Sequence, residues 1–157
     1  MLKIVYPPGS GLSGLASPLR AIISRSPRPV LALPTGATDL DQAVLAFDGS
    51  AKSKEALFVA AYLAEQWKTS LTVYTGEGAN AAAMQDAARQ YLDLHEIQAE
   101  YVIEKSSAET LKRISEERGA NLVLMGGYSG AILKEVTLGS WVNDMLREQN
   151  APVLICR

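Results

Sequence analysis

The sequence has one cysteine and one histidine, Cys156 and His95. A single thiol excludes an intrachain disulfide, and the reading that follows is a reducing cytoplasm. One Cys with one His also excludes a zinc site of the usual Cys/His kind. Proline is missing from residues 35–151, although six of the seven prolines fall within residues 1–34. Neither charge dominates: 15 Lys and Arg stand against 17 Asp and Glu, for a net charge of -2. Such a chain is not expected to take nucleic acid or an anionic membrane as its main partner. No apolar run approaches the roughly 18–20 residues that a membrane span needs. The basic-then-apolar layout of a secretory leader is lacking too, because prolines and glycines interrupt the opening stretch early.

What is present reads as one domain with a sizeable core, from 157 residues of which 48% are hydrophobic and 20% charged. Residues 35–42, "TGATDLDQ", are polar and turn-rich and read as a linker. Beyond them short β-like runs alternate with longer helical ones. The expected strands are Ala43–Phe47, Ser70–Thr75, Ala99–Glu104, Asn121–Gly126 and Ala151–Cys156. Several are near-continuous apolar runs, as suits strands covered on both faces. The expected helices are Ser50–Lys68, Asn80–His95, Ser106–Arg118 and Thr137–Gln149. The first aligns Leu57, Ala60, Ala61, Ala64 and Trp67, and the second aligns Met84, Ala87, Ala88, Tyr91 and Leu92. Ser106 and Glu109 stand at capping-box spacing, and Gly119 marks the stop of that helix. The pattern βαβαβαβαβ predicts an α/β fold: a doubly wound, Rossmann-like parallel sheet with helices on both faces.

The N-terminal segment carries an internal repeat. "LASPLRAIISRSPRPVLAL" (Leu15–Leu33) aligns without a gap on "LGSWVNDMLREQNAPVLIC" (Leu138–Cys156), at a constant offset of 123. Pro29 falls on Pro152, and Val30-Leu31 falls on Val153-Leu154. Leu2–Tyr6, "LKIVY", corresponds to "LVLMG" (Leu122–Gly126) across a shortened loop. Residues 1–34 are therefore read as the last β-α-β unit of a preceding copy, with 35–42 as linker and 43–157 as the complete domain.

Ligands of doubly wound sheets bind at the carboxyl ends of the strands, near the switch in strand order. Two stretches fall there. "FDGSAKSKEAL" (Phe47–Leu57) follows the first strand of the domain, with Asp48 at the strand end and Ser50 placed to cap the next helix. "MGGYSGAILKEVTLGS" (Met125–Ser140) follows the fourth. A phosphate cradle needs backbone N–H groups facing a concavity with no β-carbon in the way, and Gly139-Ser140 at a helix start fits. No Ser-His-Asp or Cys-His set is evident, since His95 is remote in the chain from both loops, so no catalytic residue is assigned and the chain is not expected to be an enzyme.

The block from Ala43 to Arg157 resembles a universal stress protein domain. The resemblance rests on "VLAFDGSAKSKEALFVAAYLA", "ANLVLMGG" and "LGSWVNDMLREQNAPVLIC", in order and correctly spaced. It implies five strands in order 3-2-1-4-5 and a homodimer through the last strand, Pro152–Cys156. The repeat adds a second such strand, Pro29–Leu33, able to pair with it in the same chain or a neighbour. The resemblance further implies adenine-nucleotide binding or sensing (ATP or AMP, with Mg²⁺) in a stress response. Nucleotide-binding members carry G-x2-G-x9-G-[ST] after the fourth strand. Gly126, Gly139 and Ser140 match, and Ser129 stands in place of the second glycine. Starting at Gly127 recovers Gly130 but leaves eight residues before Gly139. Asp48 matches the acidic residue facing base and ribose, and Val73 the residue lining the base pocket. Trp141 fits either a backbone contact to phosphate or the core stripe of its helix. The alternatives are an interaction module of the same fold without nucleotide, and a slow ATP-hydrolysing enzyme.

Overall fold

The computed structural model describes residues 2–6, 25–34, 39–127 and 151–156. Seven strands form one sheet: β1 (Leu2–Tyr6), β2 (Val30–Pro34), β3 (Gln42–Ala46), β4 (Ser70–Gly76), β5 (Ala99–Glu104), β6 (Leu122–Gly126) and β7 (Val153–Cys156). The helices are α1 (Ala51–Trp67), α2 (Ala81–Leu94) and α3 (Ala108–Glu117). The expected helix 137–149 lies outside the described residues.

The strand order is β1-β2-β7-β6-β3-β4-β5. This corrects the expectation of a five-stranded, wholly parallel sheet. The run β5-β4-β3-β6-β7 is parallel throughout, but the sheet continues past β7. There β2 pairs antiparallel with β7 (Val30 opposite Ile155, Leu31 opposite Leu154, Ala32 opposite Val153), and β1 lies parallel to β2. The sheet as a whole is therefore mixed, and its order differs from 3-2-1-4-5. The homodimer through Pro152–Cys156 is corrected for the same reason. With β6 on one side and β2 on the other, β7 has no open edge to offer a second chain.

Strand alternation sends two sets of side chains to two faces. Leu45, Leu71, Val73, Leu122, Leu124 and Leu154 pack with Ala56, Leu57, Ala60 and Ala61 of α1 and Ala88 and Leu92 of α2. Val44, Tyr74, Val123, Met125, Val153 and Ile155 pack with Leu111 and Ile114 of α3 on the other face. β2 joins both layers, through Leu31 in the first and Val30 and Ala32 in the second. The N-terminal segment thus shares the core of the rest.

Local signals set the helix ends with small shifts. Ser50 caps α1, its Oγ accepting the Ser53 N–H at 3.2 Å. The cap of α3 is Ser107, not Ser106: Ser107 Oγ accepts the Thr110 N–H at 3.0 Å. α2 buries Ala81, Gln85, Ala88 and Leu92, so its stripe is turned from the expected one and Ala87 is exposed. Gln85 goes inside because its Nε2 donates to the Val102 carbonyl at 3.0 Å, which satisfies the buried amide. Trp67 is 56% exposed. It is the last residue of α1, and Lys68 turns the chain away at φ 60.

Candidate functional site

β3 is the switch point of the sheet, paired with β4 on one side and β6 on the other. The chain leaves its carboxyl end through Phe47 and Asp48 and enters α1 by a tight turn. Asp48 Oδ1 accepts the Ser50 N–H at 2.9 Å, and Ser53 Oγ donates to the Ser50 carbonyl at 3.0 Å. Gly49 sits between at φ +73, a conformation that side chains disfavour. A β-carbon there would also lie 3.1 Å from Met84 of α2. The carboxylate of Asp48 is thus held at the carboxyl end of β3 by the turn it helps to build.

Gly126 ends β6 beside the first turn of α1. A β-carbon on it would stand 2.8 Å from the Ser53 nitrogen and 3.0 Å from the Lys52 carbonyl carbon. Close approach of strand and helix requires glycine here, independently of any ligand. Val73 is fully buried in the α1–α2 layer, opposite Leu45 in the middle of the sheet. Ser129, Gly130, Gly139 and Ser140 lie outside the described residues, as does Trp141. Asp48 and Gly126 thus stand at the carboxyl ends of β3 and β6, whereas Val73 lies short of that level, opposite Leu45.

The sequence reading missed two hydroxyls at the same end of the sheet. Thr75 lies one step beyond the Ala46–Tyr74 pair, level with Phe47. It is fully buried, and its Oγ1 has no hydrogen-bond partner. Ser106, just after β5, has a buried Oγ that is also without a partner. Gly76 separates them, and a β-carbon there would meet Ser106 Oγ at 2.6 Å. An unpartnered buried hydroxyl costs about 1–3 kcal/mol, so each marks a place where a polar group would be welcome. Threonine in a strand reads as a plain β-former, so no pattern in the sequence marks it.

On the opposite face Tyr74 is spent on structure. Its hydroxyl donates to the Lys105 carbonyl at 2.8 Å and accepts the Ser107 N–H at 3.4 Å. Burial pushes this phenol above its ordinary value, with the Ser107 hydrogen bond opposing. Burial likewise pushes the Cys156 thiol up to about 12, helped by the charge of Glu55, which makes it a poor nucleophile. Among the described residues no group of three or more His, Cys, Asp and Glu could hold a metal ion. Among them, too, no helix is long and apolar enough to cross a membrane. A groove at the amino end of β4, lined by Glu65, Lys68, His95 and Glu96, contains none of the candidate residues.

Comparison with known proteins decides the family. The sequence model of the universal stress protein family matches residues 40–157. The chain belongs to the universal stress protein family. Universal stress protein Slr1230 of Synechocystis is 28% identical over 148 residues, covering 91% of this chain and 52% of that protein. A universal stress protein structure from Archaeoglobus fulgidus superposes with TM-score 0.79 at 19% identity, covering 99% of this chain and 60% of the other. A universal stress protein solved in complex with cAMP superposes with TM-score 0.62 at 22% identity, covering 76% of this chain and 98% of the other. This universal stress protein chain thus spans about half the length of the Synechocystis relative.

Proposed function

We propose that the chain is a non-enzymatic adenine-nucleotide-binding or sensing module of a stress response, acting in a reducing cytoplasm. The observation that carries this reading is the unpartnered Thr75 hydroxyl, buried at the carboxyl end of β4 and one step along the sheet from Asp48. In this reading Asp48 addresses the ribose and base, and Val73 backs the base from inside the core. Gly126, Ser129, Gly130, Gly139 and Ser140 address the phosphates. Thr75 supplies a hydrogen bond that the sequence motif does not include. Such a site binds and orients the nucleotide, and Mg²⁺ would enter with the phosphates alongside Asp48. The cAMP complex of a structural relative supports an adenine nucleotide as the ligand class.

A second reading, an interaction module without nucleotide, is favoured by one observation. Asp48 and Gly126 are both accounted for by the turn and the helix packing they support. Titration calorimetry and thermal shift with ATP, ADP, AMP and cAMP separate the two. Saturation at 100 times the dissociation constant would raise stability by about 2.7 kcal/mol. Thr75→Val, which keeps the shape and removes the hydroxyl, is expected to reduce that gain and leave the ligand-free protein as stable or more so. No heat and no shift up to millimolar nucleotide would leave the interaction module.

We also infer that residues 1–34 are the end of a preceding domain copy, joined by 35–42 to the domain at 43–157. The parallel pairing of β1 with β2 beside the antiparallel β2–β7 ladder supports it.

A further inference from the structure

The middle of α1 carries two rings that the fold leaves in solvent. Phe58 is 49% exposed and Tyr62 58%. The helix buries Ala56, Leu57, Ala60, Ala61 and Leu63, so its other side is already spent on the core. Steps of four, four and three residues place Lys54, Phe58, Tyr62 and Glu65 on one outward stripe, and all four are exposed. The row of rings continues beyond α1. Phe58 lies against Tyr91 of α2 with ring centroids 5.0 Å apart, and Tyr91 against His95 at 4.7 Å. Apolar residues scattered over a surface are ordinary, whereas adjoining ones mark a contact face.

The charges at the two ends of the stripe decide what the face fits. Lys54 stands near the start of α1 and Glu65 near its end, and among the described residues no ion pair engages either. A stripe with a cation at one end, an anion at the other and rings between is complementary to itself run backwards. An antiparallel copy, related by a two-fold axis level with Ala60, sets Phe58 opposite the copy's Tyr62 and Tyr62 opposite the copy's Phe58. Lys54 then stands within one residue's rise, about 1.5 Å, of the level of the copy's Glu65, and the reciprocal pair does the same. Such a contact is isologous and closes at two chains. A parallel copy in register would set Lys54 on Lys54 and Glu65 on Glu65, like against like.

We propose that the outer stripe of α1 is a docking face for α1 of a second copy of this chain, with Lys54 paired to Glu65 at both ends and Phe58 to Tyr62 between. The contact is helix to helix and leaves every strand edge out. The rings supply the apolar area. The two ion pairs fix direction and register, since charge across an interface gives specificity more than affinity. A single helix seam is a small interface, so the association is reversible. The proposal is independent of nucleotide.

The test is an exchange of charges, read by sedimentation velocity of the full chain over a micromolar concentration series. The wild type is expected to pass from monomer to dimer as concentration rises. Lys54→Glu and Glu65→Lys each bring like charges together twice, and each is expected to weaken the dimer on the order of tenfold. Both residues are exposed, so neither exchange touches the core. Mixed in equal amounts, the two single variants are expected to associate with each other, because each then meets the opposite charge. The chain carrying both exchanges is expected to dimerise like the wild type. Tyr62→Ser is expected to loosen the dimer and leave the circular dichroism unchanged. A wild type that stays monomeric throughout, or a dimer that survives both single exchanges, would overturn the proposal. So would failure of the mixed variants to associate, since the stripe would then serve a partner of another kind.

Discussion

Among the described residues β5 and β1 both end the sheet, and they are finished in different ways. The β5 sequence AEYVIE carries two carboxylates, and each has an arginine partner: Glu100 with Arg118 and Glu104 with Arg113. Arg89 lies over the Tyr101 ring, 3.9 Å from its centroid. Charges along an edge discourage another strand from adding there. β1, LKIVY, carries one charge in five residues and lies beside β2, which joins the remainder through the β2–β7 ladder. The difference teaches that β5 is built as a boundary, whereas β1 has the composition of an interior strand.

The largest way to break this contrast is at the ladder. Leu31 is 5% exposed and packs in the α1–α2 layer opposite Leu154. Leu31→Ala is expected to cost about 2–5 kcal/mol in urea unfolding. Amide exchange at Leu2–Tyr6 and Val30–Pro34 should rise more than at Leu122–Gly126. Equal effects on both would mean that the two ends unfold as one unit.

A smaller effect is expected at Tyr74, inside the finished half. Tyr74→Phe removes the hydrogen bond to Lys105 and should cost about 1 kcal/mol. It should also flatten the alkaline limb of stability. A phenol raised in the folded state is favoured there in its neutral form. Its contribution is complete below the unfolded value of 10.0 and is lost as pH rises through the folded one. Cys156 adds a decline of the same sign between pH 9.0 and about 12. Chemical denaturation from pH 8 upward, wild type against Tyr74→Phe, checks the slope.

The smallest effect on stability is expected at the β5 edge itself. Arg113 bonds Glu104 and, at 2.7 and 2.8 Å, Glu117, all in solvent. Arg113→Ala is expected to leave the melting temperature unchanged, since exposed pairs contribute little. The doubled change of Glu100 and Glu104 to Val is expected to promote association through β5, read by light scattering. Association through β5 in the wild type would erase the contrast.

The pattern along the chain made most of the fold legible. Short β-like runs, several of them near-continuously apolar, marked β3 to β7, and Ser50 marked the start of α1. Periodicity was less informative about which residues a helix buries. The stripe on α2 is turned because Gln85 finds a carbonyl inside, and no hydropathy rule foresees that bond. The caps at Ser106 and Ser107 are equally good by composition, and only the geometry of Thr110 separates them. The places of Asp48 and Gly126, at the carboxyl ends of β3 and β6, were legible. Their local duties, a turn and a close approach, were not, because each depends on a partner brought from elsewhere in the chain. The β2–β7 ladder was foreshadowed by the repeat, since two similar edge strands invite each other.

The position of β7 also has a consequence in time. Residues 153–156 are made about 120 residues after β2, yet they are the strand on which β2 docks. During synthesis Val30–Pro34 therefore emerges with its pairing edge bare, and stays so until the last strand joins β6. Closure of the sheet couples arrival of the final strand to the end of that exposure. A nascent chain stalled before residue 153 would leave the β1–β2 unit undocked, a natural target for a chaperone.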